Sequence, residues 1–273
     1  MSKTGHALIE EIDTLKLPSG ALAFWWLGQL GYALKVNEVV FYLDAFLMPM
    51  PGRNVAPILA PEQVTNASWV LGSHDHADHI DPVAFPGIAR ASAKARFICP
   101  RAATLRVRAL GVPSERIVPM DEGLIFEDGA QHVRIEAIAA AHEFLDHDPE
   151  LGYPYLSYII QVGGVTILHT GDATIYEGML TKLRRWRFDL VFLPINGRDA
   201  VRLRSNRIGN MTYQEAVDLV GAMQPRLAVP GHYEMFSHNS ENPRLFADYL
   251  EVKYPGQRYW IGEHGQAVIL AAR

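Results

Sequence analysis

The sequence predicts a single-domain α/β fold with a two-layered sheet core and helices packed outside it. Two observations predict this class. Apolar, strand-like runs form a meander near the N-terminus, and further along the chain such runs alternate with helical segments. At 273 residues and 49% hydrophobic composition, the chain has enough apolar material for one sizeable core. Because neither an internal repeat nor a linker-like segment divides it, residues 1–273 are expected to form one domain.

Composition and charge exclude several classes of protein. A mean hydropathy of +0.01 and 10% aromatic residues are too apolar for a disordered chain. No apolar run reaches the ~18 residues that span a bilayer, and the N-terminal segment lacks the continuous apolar stretch of a signal peptide. A membrane span is therefore not expected. The net charge of −5 is spread along the chain without a basic block, so a nucleic-acid partner is not expected either.

The single cysteine, Cys99, cannot form a disulfide within the chain. This cysteine usage is typical of a reducing compartment, so a cytoplasmic location is expected. Cys99 precedes Pro100 away from every polar cluster and is interpreted as a buried structural thiol. The sequence is compatible with a monomer and with a homo-oligomer.

The first half of the chain is predicted to form a meander followed by alternating strands and helices. It opens with an amphipathic segment that ends at Pro18, and the loop at 48–61, rich in proline and glycine, is expected to lie over a site. Helices are expected after residue 81 and over 102–110. The predicted strands are 22–27, 32–36, 39–43, 68–73, 96–100, 116–120, 124–127 and 133–140.

The second half is predicted to add a hairpin, three helices and three further strands. The Gly163-Gly164 turn joins strands 155–162 and 165–170. The helices are predicted from N-terminal signals, two with capping-box spacing and one Asn-Pro step. These signals are Thr174 with Glu177, Thr212 with Glu215, and Asn242 with Pro243. The further strands are 189–194, 226–230 and 258–262.

A cluster of histidines and aspartates directly follows the apolar strand SWVLG. The segment SHDHADHID places His74, His76, Asp78 and His79 within six residues. Side chains two residues apart leave an extended segment on the same side, so a tight turn after the strand can aim them at one centre. Neutral imidazoles and carboxylates are ligands of borderline divalent cations, and the cluster therefore predicts a metal site rather than a solvated loop.

Three isolated residues are candidates to complete this site. His142 ends the run VRIEAIAAAH, Asp172 follows VTILHTG, and His232 follows RLAVPG. Each alone could be an ordinary loop residue or, for Asp172, a helix cap. Together they repeat one arrangement, a ligand at the end of a strand, which favours metal ligation for all three. His169 is interpreted as a packed residue that supports the ligands, and His147 as a solvated loop residue.

The order of these motifs along the chain is HxHxDH, a later His, a later Gly-Asp and a final Gly-His. In that order they resemble the metallo-β-lactamase superfamily. The WWLG opening and the HYEMF segment are similar to its L-ascorbate-6-phosphate lactonase branch. The segments that carry the resemblance are LAFWWLGQLGY (22–32), GSHDHADHIDP (72–82), LHTGDA (168–173) and PGHYEMFSHNSENP (230–243).

The resemblance implies an αββα sandwich with a site at one edge of the sheets and two divalent ions, Mn²⁺ or Zn²⁺. The implied activity is hydrolysis of a small anionic ester-like substrate by a metal-activated hydroxide, which Asp78 orients or deprotonates. The favoured reaction is that of a lactonase on a phosphorylated sugar lactone. The implied ligands are His74, His76 and His142 for one ion, Asp78, His79 and His232 for the other, and Asp172 between them.

Three other functions are compatible with parts of this pattern. A phosphodiesterase acting on a nucleotide or a phospholipid head group would use the same ligands, and the WLG opening with HxHxDH is also similar to N-acyl-phosphatidylethanolamine-hydrolysing phospholipases. A mononuclear-iron oxygenase on this fold needs only three protein ligands, fewer than the candidates present here. A binding protein that has lost its metal is not expected to keep Asp78 and all five histidines.

An arginine-rich loop is a candidate for substrate binding. The segment NGRDAVRLRSNR at 196–207 contains Arg198, Arg202, Arg204 and Arg207, a high density in an acidic protein. Guanidinium groups bind phosphate through paired hydrogen bonds, and a solvated polar loop is the alternative interpretation. Arg198 is the favoured contact, because the Asn-Gly step before it can turn the chain sharply toward the site.

Overall fold

Two β-sheets packed face to face form the centre of the protein, and helices cover their outer faces. The computed structural model describes all 273 residues and confirms the predicted single-domain α/β fold. The strands are β1 (Leu22–Gly28), β2 (Gly31–Val36), β3 (Val39–Leu43), β4 (Trp69–Leu71), β5 (Arg96–Pro100), β6 (Ile117–Met120), β7 (Ile125–Asp128), β8 (Val133–Ala139), β9 (Leu156–Val162), β10 (Val165–His169), β11 (Leu190–Pro194), β12 (Leu227–Gly231) and β13 (Ala267–Leu270).

One sheet has seven strands in the order β13-β1-β2-β3-β4-β5-β6, and the other has six in the order β12-β11-β10-β9-β8-β7. All the strands predicted before residue 231 are present as β1–β12. The helices are α1 (Gly5–Thr14), α2 (Ala84–Ala91), α3 (Thr104–Ala109), α4 (Met179–Leu183), α5 (Ala200–Arg204), α6 (Tyr213–Met223) and α7 (Pro243–Lys253). None of these helices has both the length and the apolar character needed to cross a membrane.

Strand β1 shows how the chain divides its side chains between the layers. Phe24 faces the space between the sheets, where its ring lies 5.4 Å from that of Phe192 on β11. Trp25 faces the opposite way, and its Nε1 donates a hydrogen bond to Glu11 on α1. Because side chains alternate along a strand, both faces of β1 are buried. A strand buried on both faces reads as an unbroken apolar run, which is why the sequence predicts it.

Helix α6 begins at the predicted capping box. The Thr212 side chain accepts a hydrogen bond from the Glu215 backbone N–H, and the Glu215 carboxylate accepts one from the Thr212 N–H. Two N–H groups that the helix itself cannot satisfy are thereby paired. Asn242 caps α7 in a similar way, with Pro243 as the first helical residue.

Replacing Thr212 with alanine is expected to lower the free energy of unfolding by about 1 kcal/mol, because one N–H at the start of α6 loses its partner. Urea unfolding followed by circular dichroism measures this loss. Thr4→Ala is a matched control, since Thr4 occupies the N-cap of α1 without a side-chain capping bond. Equal losses in both variants would contradict the assigned role of the capping box.

The capping role predicted for Thr174 is wrong. Its backbone N–H and its hydroxyl both donate to the carbonyl of Ala141, 2.7 and 3.1 Å away, so the residue bridges two loops. Helix α4 begins five residues later, after Gly178 at φ +88°. The paired loops place Thr174 beside the segment that contains His142.

The strand predicted at 258–262 is reduced to a single bridge between Tyr259 and Ala228 of β12. Ala228 N–H donates to Arg258, and Trp260 N–H donates back to Ala228. The next donor in a parallel ladder would be residue 230, which is a proline without an N–H, so the pairing stops there. The edge strand that does form near the C-terminus is β13, which pairs with β1 and was not predicted.

The loop at 48–61 is irregular, as predicted, apart from one 3₁₀ turn that begins at its last residue, Pro61. Asn54 binds the chain just after β12: its backbone N–H donates to Met235 and its side chain donates to the carbonyl of Glu234. Within the loop, the Arg53 guanidinium donates a hydrogen bond to the carbonyl of Met48 at 2.7 Å. The loop is therefore fastened beside the segment that begins with His232.

Candidate metal centre

Four strands, one from the seven-stranded sheet and three from the other, end beside a common cluster of polar side chains. The segment after β4 contributes the HxHxDH motif, and the loops after β8, β10 and β12 contribute His142, Asp172 and His232. His232 adopts a left-handed backbone conformation at φ +58°, and Gly171 does the same before Asp172. These turns at strand ends bring together side chains that are far apart in the sequence.

The first group of side chains consists of His74, His76 and His142. Their candidate ligand atoms all lie within 4.8 Å of one another. The His74 Nε2 and His76 Nδ1 atoms are 2.9 Å apart, and the His142 ring lies 5.1–5.2 Å from both other rings. Three imidazoles from two sheets thus face one point.

The second group consists of Asp78, His79 and His232. Asp78 Oδ2 lies 3.7 Å from the Nε2 atom of each histidine. Asp172 lies between the two groups: its Oδ1 is 3.4 Å from His79 Nε2, and its Oδ2 is 3.2 Å from His232 Nε2 and 3.8 Å from His142 Nε2. The structure therefore brings together all seven of the side chains that the sequence analysis singled out as candidate ligands.

The donor set fits divalent cations. Ligands about 2.1 Å from a common centre lie roughly 3.0–3.4 Å from one another, close to the separations observed here. His79 Nε2 and Asp172 Oδ1 are buried, face each other and have no hydrogen-bond partner in the chain. A buried polar atom without a partner costs about 1–3 kcal/mol, so this pair favours a cation that both atoms could bind.

Burial keeps two of the imidazoles neutral. It lowers the pKa of His142 to about 4 against the pull of Asp172, and it lowers the pKa of His74 well below the usual value, with further repulsion from His79. Both rings are therefore unprotonated at neutral pH. A neutral imidazole has a free lone pair, which is the form that binds metals.

The carboxylates are ionised. Burial alone would raise the pKa of Asp172 and of Asp78, but the rings of His79 and His232 outweigh it and lower both pKa values. In return, Asp172 and its neighbours raise the pKa of His79 and of His232 against the effect of their burial. The carboxylates thus favour positive charge at the centre of the cluster, either as protons on these two rings or as a bound cation.

Asp44 directly follows β3 and positions the cluster through hydrogen bonds with side chains that are buried beneath it. Its Oδ2 accepts hydrogen bonds from His79 Nδ1 at 2.7 Å, His169 Nε2 at 2.8 Å and Ser73 Oγ at 2.7 Å, and its Oδ1 accepts from the Ser73 backbone N–H. Burial would raise the pKa of Asp44, but His79 and His169 hold it well below its usual value. The hydrogen bond from His79 Nδ1 fixes the ring so that its Nε2 faces Asp172.

The sequence analysis missed Asp44 but interpreted His169 as a packed, supporting residue, which its buried contact with Asp44 confirms. Asp44 follows the apolar run Val39–Leu43 directly, so the rule that found the candidate ligands could also have found it. Gln29 was also missed. It lies in the turn between β1 and β2 and contacts Asp78 and His232.

A cavity of about 370 Å³ opens onto the cluster. Its wall includes Asp78, whose side chain is 24% exposed, whereas the His79 side chain is fully buried behind it. The lining residues are His76, Ala77, Asp78, His142, Asp172, Asn206, Arg207, Ile208, His232 and Asn239.

The arginine-rich segment includes helix α5 and approaches this cavity at its far end. Asp199 caps α5, which the sequence analysis had described as a loop. The Arg198 guanidinium binds both carboxylate oxygens of Glu215 at 2.6 Å and is not among the lining residues. Arg202 pairs with Asp199. Arg207 is partly buried, lines the cavity and forms no ion pair.

Two other residues lie outside the cluster, as expected. His147 is exposed, and its ring packs 4.6 Å from that of Tyr153. Cys99 is buried, and this burial raises the pKa of its thiol to about 12, which keeps it protonated and unreactive. The interpretation of Cys99 as a structural thiol is confirmed.

Similarity to known proteins agrees with this geometry. A family model described as a beta-lactamase superfamily domain matches residues 41–233, which is more than half of the chain. The chain belongs to the metallo-β-lactamase superfamily. Among its relatives in the superfamily is a UPF0173 metal-dependent hydrolase of Thermococcus kodakarensis, 29% identical over 232 residues that cover 83% of this chain and 93% of the relative.

Solved structures share the fold. A metallo hydrolase from the archaeon Ignicoccus hospitalis superimposes with a TM-score of 0.74 at 19% identity, covering 93% of this chain and all of that one. CmlA, a diiron β-hydroxylase from Streptomyces venezuelae, superimposes with a TM-score of 0.69 at 16% identity, covering 94% of this chain and 55% of that one. At these identities the likeness is one of fold alone. The resemblance to the ascorbate-6-phosphate lactonase branch stays a prediction.

Proposed function

We propose that this chain is a metal-dependent hydrolase that holds two divalent cations at one end of the sandwich. One observation carries the proposal: seven histidine and aspartate side chains from both sheets converge, and Asp172 contacts both groups. The naming of a relative as a metal-dependent hydrolase supports it. In this proposal the ligands are His74, His76 and His142 at one cation, Asp78, His79 and His232 at the other, and Asp172 between them.

When bound, such cations lower the pKa of water to near neutrality and stabilise negative charge that develops on a substrate oxygen. The protein supplies the arrangement around them. Asp78 is the carboxylate of the second group that reaches the cavity, and its lowered pKa keeps it ionised, so it can orient the attacking water and accept its proton. Asp44 holds the His79 ring in one orientation from behind.

The substrate that we propose is a small anionic ester-like molecule, with a phosphorylated sugar lactone as the favoured example. A cavity of about 370 Å³ has the size for a small molecule. Arg207 offers an unpaired guanidinium at its wall, which suits a phosphate or carboxylate. In this proposal Arg198 fastens the segment to Glu215, and Arg207 makes the contact with the anion.

A phosphodiesterase is the second candidate, because the same ligands and Arg207 would also suit a phosphodiester. Hydrolysis assays after loading with Mn²⁺ or Zn²⁺, on a panel of lactones and phosphodiesters, distinguish the two reactions. Hydrolysis of neither class by the loaded protein would contradict both. Iron-dependent consumption of oxygen would instead indicate an oxygenase.

Replacing Asp78 with asparagine is expected to reduce kcat by a factor of roughly 10²–10⁴ while at least one cation stays bound, because asparagine cannot accept the proton. Steady-state kinetics and metal analysis of the same preparation measure both effects. Asp75→Asn is the control, since Asp75 lies in the same segment but is exposed and pairs with Arg106. Full activity of Asp78→Asn with unchanged metal content would remove Asp78 from the mechanism.

Replacing Arg207 with alanine is expected to lower kcat/KM for 6-phosphoglucono-δ-lactone by roughly 10–100-fold, because a charge-assisted hydrogen bond contributes about 1.5–3 kcal/mol. The loss should be smaller for glucono-δ-lactone, which lacks the phosphate. Arg204→Ala is the control, since Arg204 is exposed and outside the cavity wall. Equal losses with both lactones would contradict recognition of an anion by Arg207.

A further inference from the structure

Gln29 lies in the turn between β1 and β2 and is held rigidly against the candidate metal centre. Its backbone is left-handed at φ +55°, and its carbonyl accepts hydrogen bonds from the Trp26 indole at 3.0 Å and the His232 backbone N–H at 2.9 Å. The turn packs closely, since a Cβ on Gly31 would lie 2.7 Å from the carbonyl oxygen of Asp44. Gln29 is 1% exposed, so its side chain is packed away from solvent.

The carboxamide of Gln29 contacts two of the proposed ligands of the second cation. Its Nε2 lies 2.7 Å from Asp78 Oδ2 and 3.1 Å from His232 Nε2. Its Oε1 is buried without a hydrogen-bond partner. Both contacted atoms are ones that a cation would bind, and His232 Nε2, which has a single lone pair, could then no longer accept a hydrogen bond from the amide.

A half-turn of the carboxamide exchanges Oε1 with Nε2 and leaves the rest of the chain in place. The oxygen would then lie 2.7 and 3.1 Å from Asp78 Oδ2 and His232 Nε2, at the positions that the nitrogen has now. Two ligands at right angles, each about 2.1 Å from a cation, are about 3.0 Å apart. The turned oxygen therefore fits the coordination shell that the second group offers, and it gains the partner that it lacks.

We propose that Gln29 is a further ligand of the second cation, through Oε1, and that it makes the two sites unequal in the cations they prefer. The inference rests on the proposed metal centre. The first site would have mainly imidazole ligands, which suit Zn²⁺, whereas the second would combine imidazoles with carboxylates and an amide oxygen, which suit a harder cation such as Mn²⁺. A loaded enzyme would then carry a mixed pair of cations in preference to two of one kind.

The test is calorimetric titration of metal-free protein with Mn²⁺ alone and with Zn²⁺ alone. Gln29→Met keeps the length of the side chain but removes the oxygen, so Mn²⁺ binding at one site should weaken at least tenfold while the tighter Zn²⁺ site is unchanged. Gln29→Glu keeps an oxygen and should bind Mn²⁺ at least as tightly as the wild type. Gln214→Met, on the exposed face of α6, is the matched control and should change nothing.

These variants separate a ligand from a mere hydrogen-bond donor to Asp78. Glutamate lacks the N–H group and repels Asp78, so a donor role predicts Mn²⁺ binding by Gln29→Glu that is as weak as that of Gln29→Met. That result, or unchanged binding by Gln29→Met, would overturn the inference while leaving the metal centre intact. Failure of the wild type to bind either cation would instead refute the proposed function.

A structure of the Mn²⁺-loaded wild type gives a second, independent readout. We expect Oε1 about 2.1–2.4 Å from an ion, with Nε2 turned away from Asp78. An ion bound by Asp78 and His232 with Nε2 still facing them would overturn the inference. Circular dichroism of each variant checks that folding is retained, so that a loss of binding can be assigned to the side chain itself.

Discussion

Replacing Asp172 with alanine is expected to reduce metal-dependent turnover by about a thousandfold or more. Asp172 is the carboxylate that contacts both groups, reaching His79 and His232 on one side and His142 on the other. Without it, each of the two proposed cations would lose a negatively charged ligand in a buried setting. About 4 kcal/mol of stabilisation of the transition state corresponds to a thousandfold in rate.

The Asp172→Ala variant should be assayed for turnover and for bound metal, with Asp248→Ala as the control. Asp248 is exposed on α7, pairs with Arg244 and is not one of the side chains of the cluster. The control should retain both activity and metal. An Asp172→Ala protein that is folded and turns over at the wild-type rate would mean that the two groups do not act as one centre.

The second large effect is expected from Asp44→Ala, which should lower the free energy of unfolding by about 3–5 kcal/mol. The fully buried Asp44 carboxylate accepts hydrogen bonds from His79, His169 and both polar groups of Ser73, and removing it leaves the buried His169 Nε2 and the Ser73 backbone N–H without a partner. Because bound metal would add its own contribution, urea unfolding should be measured with a chelator present for both proteins.

The pH dependence gives this prediction a second test. The folded-state pKa of Asp44 is lowered below its unfolded value, so its contribution is complete above the unfolded pKa of about 3.9 and is lost as the pH falls further. The difference between wild type and Asp44→Ala should therefore shrink as the pH falls below about 4. A difference under about 1 kcal/mol at pH 7 would contradict the assigned role of Asp44.

Much of the fold could be predicted because buried strands such as β1 read as unbroken apolar runs. The candidate ligands could be predicted because each follows such a run, where the chain leaves the sheet. The prediction of a strand at 258–262 was wrong for a reason outside those residues: Pro230, on the neighbouring strand β12, has no N–H group to donate the next hydrogen bond. Whether a segment pairs as a strand depends on the neighbouring strand, which the segment's own sequence pattern does not show.

The rest of the site depends on contacts between distant segments. Gln29 has no charge and no metal-ligand motif, and only the left-handed turn against His232 places its amide at the cluster. Which arginine reaches the cavity also depends on contacts between distant segments. The Asn-Gly step favoured Arg198, but Glu215, seventeen positions away in sequence, binds Arg198, and Arg207 lines the cavity instead.

The most direct measurement of the central proposal is the metal content of the wild-type protein, purified without added metal and then dialysed against Mn²⁺ or Zn²⁺. Elemental analysis by mass spectrometry should find about two equivalents of divalent cation per chain after loading. Hydrolytic activity should rise with that content. Less than about 0.1 equivalent in the folded protein after loading would contradict the proposal.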